Sequence, residues 1–337
     1  MKLSILKGFN DYDEYNYEKA CKELGIDYDF VNIIGDNWIN EINNSTSDGF
    51  LARPPCDFLE RKNIYDERLY FINKIMKKNI YPSFDELFIY ENKRNMAAWL
   101  EINKFPHVKT HVFLLKNEAL DFCNKTSYPI ITKSNIGASS SGVKVLKNIK
   151  DAKKFINSVF GFNSKLAIGA MPKVRKFNLP IPIIGSAQKH TVLFQEFIDI
   201  KWEWRIIKIG DSFFGYKKLL GSNGLASGNN LDGWGEPPKE LLFMVKDLCD
   251  KGGFLSMAVD VFETIDGIYY INELQSIFGA YNNSQMYINN EPCRFIYDKG
   301  IKDFFIEKGY FCQNGCANLR VEDFIKKLNN KAHLTLD

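Results

Sequence analysis

The stretch SMAVDVFETIDGIYYINELQS, residues 256–276, reads as a β-hairpin that gathers acidic side chains on one face. Asp266-Gly267, flanked by β-branched and aromatic residues, is the dipeptide favoured in a two-residue type I′ turn. Closing on that turn pairs Ile265 with Ile268 and, counted back along both strands, sets Asp260 directly opposite Glu273. Side chains so placed have Cβ atoms ~4.5–5.5 Å apart, and Gln275, two residues on, shares their face. Like charges directly opposite one another destabilise a sheet, and a divalent cation resolves the conflict. Mg2+ held by one or two carboxylates plus phosphate oxygens fits such a pair. The alternative is an acidic pair on a solvated face.

Upstream, YPIITKSNIGASSSGV (128–143) runs from an apolar strand into Lys133 and then a small-residue loop, Gly137, Ala138, Ser139, Ser140, Ser141 and Gly142. Small residues let backbone N–H groups approach phosphate oxygens, and a lysine at the strand end adds a point charge. No G-K-[ST] closes this loop and a strand follows it, so it is not a Walker loop. A polar hairpin loop is the plain alternative. VLFQEFIDIKWEWRIIKIGD (192–211) holds two apolar runs, the first ending at Glu196, with Glu203 and Arg205 on one face of the second. FFGYKKLL (213–220) then brings Lys217 and Lys218, and a second small-residue loop follows at 224–230. An ordinary cross-strand ion pair would also explain Glu203 and Arg205.

At 337 residues the chain has room for about two or three domains. Its 45% hydrophobic and 25% charged content excludes disorder as the main state. With 44 Lys+Arg against 41 Asp+Glu, the balance of +3 demands neither nucleic acid nor an anionic membrane. No secretory leader or membrane span is evident, and the seven cysteines are scattered from Cys21 to Cys316. A reduced, cytoplasmic protein is expected. Cys312 and Cys316 form a single C-x3-C pair, too little for a zinc site.

Strand-like Lys2–Leu6, Asp27–Ile34 and Gly49–Ala52 alternate with helical stretches at Asp13–Leu24 and 63–78, which predicts a small parallel α/β domain. A helix over Glu91–Lys104 leads into strand, helix, strand, loop, strand and helix between 111 and 160. The Pro- and Gly-containing stretch up to Thr191, with Lys173, Arg175 and Lys176, has the length of a functional loop or lid. Strands at 192–198, 202–209 and 213–219 and a helix at 237–251 precede the hairpin. Helices are expected at Phe295–Lys308 and Val321–Leu328.

In order, the chain offers Lys93 and Met96 on a helix, Thr110, Lys133 with its loop, Gln195-Glu196, Glu203-x-Arg205, a basic strand, S-G-N, Asp260 and Glu273-x-Gln275. This succession resembles the ATP-grasp superfamily over roughly residues 88–282. The resemblance implies an α/β (α+β) fold: an N-terminal α/β domain with its linking helix over 1–110, a lid over 111–192, and a catalytic lobe with a helical tail over 193–337. It implies ATP and Mg2+ as cofactors. Lys93 and Lys133 would contact the phosphates, and Gly137, Ser139, Ser140, Ser141 and Gly142 would cover them. Gln195, Glu196, Phe197 and Ile198 would form the adenine hinge, with Glu203 nearby. Arg205 and one of Lys217 or Lys218 would stabilise the transferred phosphoryl group, while Asp260, Glu273 and Gln275 hold the metal. The chain departs from the family pattern in three places: Gln275 where Asn is usual, Glu203 where Asp is common, and Ile277-Phe278 ahead of Gly279.

The implied reaction joins a small-molecule carboxylate to an amine through an acyl phosphate. The sequence is similar in overall look to ATP-grasp proteins of bacterial surface-polysaccharide or peptide-like product synthesis. Arg53, Arg61 and Arg68 are candidates for gripping an anionic substrate. A small-molecule kinase and a non-catalytic ATP-binding protein are the nearer alternatives. A metal-dependent glycosyltransferase, suggested by Asp11-Tyr12-Asp13 and Asp27-Tyr28-Asp29, is the more distant one. Nothing in the sequence sets an oligomeric state.

Overall fold

The computed structural model describes residues 1–9, 14–56, 58–137, 142–161, 188–221, 226, 231–280 and 282–334. The N-terminal unit comprises β1 (Lys2–Lys7), α1 (Tyr15–Glu23), β2 (Asp27–Asn32), α2 (Trp38–Asn44), β3 (Gly49–Leu51), α3 (Leu59–Tyr70) and β4 (Ile80–Tyr81). Its strands are parallel in the order β2-β1-β3-β4. Leu3, Ser4, Ile5 and Leu6 are buried in succession, as a strand covered on both faces requires. The helix expected over 63–78 is α3 followed by a single π-helical turn, Phe71–Ile75.

Two short helices, α4 (Phe84–Ile89) and α5 (Lys93–Ile102), lead into a smaller unit. There β5 (Thr110–Phe113), α6 (Lys116–Lys125), β6 (Ile130–Thr132), β7 (Lys144–Leu146), α7 (Ile149–Val159) and β8 (Val192–Glu196) follow one another. The antiparallel sheet runs β5-β8-β6-β7, and Ala119, Ile130, Phe155, Ile156 and Phe194 form its core with the two helices. Because β8 pairs with both β5 and β6, this smaller sheet reaches Glu196.

The largest sheet contains β9 (Ile200–Ile209), β10 (Ser212–Lys218), β11 (Asp232–Gly233), β12 (Ser256–Thr264), β13 (Tyr269–Gln275), β14 (Tyr287–Ile288), β15 (Glu291–Asp298) and β16 (Asp303–Lys308). Its main path is β13-β12-β9-β10-β15-β14. One face packs Ile206, Val259, Val261 and Leu274 against Leu241, Leu242, Val245 and Leu248 of α8 (Lys239–Gly252). The chain ends in α9 (Gln313–Leu334), which returns to the N-terminal unit, where Phe324 and Leu328 pack with Leu3 and Ile5.

Two expectations are corrected. Phe295–Lys308 is not a helix: Cys293 to Asp298 pairs antiparallel with Lys308 to Asp303. Asp298 Oδ1 accepts from the N–H groups of Gly300 and Ile301, an Asx turn that reverses the chain where a helix would have continued. The turn of the 256–276 hairpin also differs. It has three residues, Ile265 to Gly267, closed by Thr264 N–H donating to Ile268 O at 2.9 Å, with Gly267 in the left-handed region at φ 77°. That shifts the register by one. A bulge at Asn272 shifts it back, so Asp260 still faces Glu273 while Val261 faces Ile271.

The N-terminal unit is tied to the largest sheet by a buried carboxylate. Glu86 accepts the N–H of Ser83 in a capping box, and its other oxygen accepts from Leu255 and Ser256, each at 2.9 Å. Tyr81 donates to Asp323 of α9 at 3.0 Å beside it.

Candidate functional site

Strand alternation that sends Val259, Val261 and Leu274 into the core sends Glu203, Arg205, Lys218, Asp260, Glu273 and Gln275 to the opposite face, toward the lid. Arg205 lies opposite Asp260 across β9 and β12, and Lys218 lies opposite Glu203 across β10 and β9. The guanidinium grips the carboxylate with two parallel bonds, Nε to Oδ1 at 2.7 Å and Nη2 to Oδ2 at 2.8 Å. Nη2 also donates to Gln275 Oε1 at 2.8 Å. Lys218 Nζ donates to Glu203 Oε1 at 2.6 Å and to Asp260 Oδ2 at 2.5 Å. The second Glu203 oxygen accepts from Asn272 Nδ2 at 2.9 Å, and Asn272 Oδ1 accepts from Lys133 Nζ at 2.8 Å.

Lys93 completes the cluster. Its amine is 3.5 Å from both Glu91 and Glu273, and donates to the Gly137 carbonyl at 2.8 Å. Burial alone would raise the Asp260 pKa, but Arg205 and Lys218 hold it down at about 2. Burial lowers Lys133 to about 8 despite nearby Glu273. For Lys93, burial is outweighed by Glu273 and Glu91, which keep its charge.

Lys217 does not join this group. It points to the opposite face, its amine 4.0 Å from the centre of the Trp202 ring and 5.0 Å from that of Trp204. The two lysines are adjacent on one strand, so only one can face the site. On the ATP-dependent reading implied by the sequence, Lys218→Met is expected to slow phosphate release roughly 10²-fold, against a change of no more than about twofold for Lys217→Met, both measured with Mg-ATP and a carboxylate–amine pair that supports turnover.

Asp260 and Glu273 do face one another, but the like-charge conflict does not arise as expected. Asp260 is neutralised from its other side by Arg205 and Lys218, and Glu273 has Lys93 near it. Among the described residues, no three His, Cys, Asp or Glu side chains cluster to hold a metal by themselves. Two carboxylates and an amide oxygen still make a hard donor set that fits Mg2+ when phosphate and water complete its shell. Glu273, 20% exposed with its nearest cation 3.5 Å away, is the most open of the three, whereas Asp260 and Gln275 are engaged by Arg205.

The small-residue loop is bracketed by Gly137 and Gly142, at φ 147° and 82°, and Ser134 N–H donates to Gly142 O at 3.2 Å across its base. Ser139, Ser140 and Ser141 lie outside the described residues, as do Lys173, Arg175, Lys176, most of the 224–230 loop and Asp11 to Asp13. Gln195 is buried and donates to Thr110 Oγ1 at 3.2 Å, while Glu196 and Phe197 are exposed and Ile198 is half-buried at the crossing from β8 to β9. Arg68 is used structurally, donating to the carbonyls of Ile33 and Gly35 and stacking 4.6 Å over Trp38. Arg61 is buried over Phe9 and Phe58. Asp29 pairs with Lys2 and accepts from Ser4 in β1, so the Asp27-Tyr28-Asp29 tripeptide is a strand element.

Two residues escaped the sequence analysis. Glu91, two before Lys93, is buried at φ 51°, and burial raises its pKa to about 7 against the pull of Lys93. Asn272 could be found only by knowing the bulge.

No family model matches the sequence, and no curated protein matches it. Solved structures do. D-cycloserine synthetase DcsG superposes with a TM-score of 0.60 at 14% identity, over 97% of this chain and 100% of that one. The N5-carboxyaminoimidazole synthetase of Staphylococcus aureus complexed with ADP gives 0.59 at 11% identity, over 89% and 82%. A RimK domain protein ATP-grasp from Sphaerobacter thermophilus gives 0.53 at 14% identity, over 81% and 90%.

Proposed function

With the ATP-grasp fold as its architecture, we propose that the chain is an ATP-dependent ligase that joins a carboxylate to an amine through an acyl phosphate. The observation that carries this reading is the convergence of Lys93, Lys133, Arg205 and Lys218 around Glu273 and Asp260 on the sheet face under the lid. A carboxylate is a poor acyl donor because oxide is a poor leaving group, and a phosphoryl group on its oxygen supplies a better one. That step needs charge neutralisation and positioning more than covalent chemistry from the protein. Arg205 and Lys218, locked by Asp260, form a preorganised positive surface for it. Lys93 and Lys133 reach the same space to grip the phosphates, Gly137 and Gly142 carry the covering loop, and Gln195 to Ile198 seat the base. Glu273, with Asp260 and Gln275 behind it, holds Mg2+, which when bound neutralises charge on the transferred group.

Similarity to D-cycloserine synthetase and an N5-carboxyaminoimidazole synthetase supports a small-molecule acid and amine here, as in surface-polysaccharide or peptide-like product synthesis. The test is phosphate release from ATP across a matrix of carboxylates and amines, including amino acids, uronic acids and ammonia. ADP and phosphate only with both partners present support a ligase. A stable phosphorylated product indicates a kinase instead, and AMP with pyrophosphate would overturn the acyl-phosphate route.

One consequence is pH dependence. A phosphate beside Lys133 favours its protonated form, whereas the free protein loses that proton near pH 8. Mg-ATP affinity should therefore be level below pH 8 and fall by up to about tenfold per unit above it. Lys133→Arg, which stays charged, should flatten the profile. Calorimetric titration from neutral to alkaline pH checks both.

A further inference from the structure

Regular alternation along β13 would put Asn272 on the core face, one residue out of phase with Glu273. The bulge prevents this. Asn272 is the extra residue, skipped between the pairs Asp260–Glu273 and Val261–Ile271, so both it and Glu273 reach the lid side. There Asn272 is 7% exposed and its amide is engaged at both ends. Its Nδ2 donates to Glu203 at 2.9 Å and its Oδ1 accepts from Lys133 at 2.8 Å. The two partners fix its orientation, because a flipped amide would aim oxygen at a carboxylate and N–H groups at an ammonium.

Lys133 stands at the end of β6 in the lid sheet, 139 residues away in the chain. Asn272 Oδ1 is the hydrogen-bond acceptor of its amine among the described residues. An ammonium carries three donors, so one spent on Asn272 leaves two for an incoming anion. We propose that Asn272 is a positioning residue: the bulge turns its amide toward the lid, where it holds the Lys133 amine aimed at the space above Glu273 for the phosphates of a nucleoside di- or triphosphate. The inference rests on the nucleotide reading of this site, and its test separates the two. Glu203 is the anchor of the device, passing the same alignment on to Lys218 through its other oxygen.

The experiment measures Mg-ADP binding by calorimetry in the parent, Asn272→Leu, Lys133→Ala and the double variant. Asn272→Leu should bind about tenfold more weakly, as expected for one lost hydrogen bond to a charged group. In the Lys133→Ala background the same change should add no more than about twofold, because the residue through which it acts is gone. Nζ-detected NMR of 15N-lysine-labelled, nucleotide-free protein supplies a second readout. The Lys133 ammonium signal, assigned by Lys133→Ala, should be present in the parent and lost to exchange in Asn272→Leu. Equal weakening in both backgrounds, or unchanged affinity with the lysine signal intact, would overturn the positioning role. A parent that binds no Mg-ADP would overturn the nucleotide reading, while the lysine signal would still decide whether Asn272 holds Lys133. Asn272→Ala replaces Asn272→Leu if the latter does not fold.

Discussion

Asp260→Ala is expected to destabilise the protein by about 3–5 kcal/mol, read as a lower denaturant midpoint in the absence of nucleotide. Asp260 is 1% exposed and neutralises both Arg205 and Lys218, which reach it from the β9 side. Removing it leaves two buried cations facing each other with only Gln275 and Glu203 to satisfy them. Replacing the whole set (Asp260→Leu, Arg205→Met and Lys218→Met, with Glu203→Gln so that no buried carboxylate is left unpaired) should recover most of the loss. Such a variant would be folded and inert. If Asp260→Ala alone unfolds at the parental midpoint, the cluster is not the buried network described above.

Glu273→Gln should do the reverse. The side chain is one-fifth exposed, its Lys93 partner stands 3.5 Å away, and Lys93 retains Glu91 at the same distance. Stability in the absence of nucleotide should therefore stay within about 1 kcal/mol of the parent. On the proposed ligase reading, turnover should fall by roughly 10²-fold or more, since the carboxylate proposed to face Mg2+ has lost its charge. An unstable but active Glu273→Gln would make the residue a structural ion-pair partner and remove it from the metal site.

The comparison of sequence with structure is most instructive at the hairpin. The pairing of Asp260 with Glu273 is met, yet its derivation is not: the turn has one residue more than the Asp-Gly signal implies, and the bulge at Asn272 cancels the error. Local turn chemistry is legible in a sequence, whereas a bulge is set by what the extra side chain finds across the sheet. The choice between Lys217 and Lys218 was closed to the sequence for a related reason. Parity along one strand is readable, but which parity faces Arg205 depends on pairing with β9. The parallel N-terminal sheet was legible because its strands and helices alternate with clear periods. The β15–β16 hairpin was not, because aromatic residues in both strands also satisfy helical spacing. Glu86 is the plainest case of long-range dependence, since its partners lie some 170 residues away.

That carboxylate has a mechanical consequence. By accepting from the start of β12 while capping α4, alongside the Tyr81–Asp323 bond, it joins the N-terminal unit and the largest sheet into one frame. Among the described residues the smaller sheet and its loops meet that frame through Lys93 to Gly137, Lys93 N–H to Asn135 O, Arg94 to Asn135 and Thr191, and Lys133 to Asn272. On the proposed reading, a substrate seated between the largest sheet and the smaller sheet rests against a wall that Glu86 braces from the N-terminal unit.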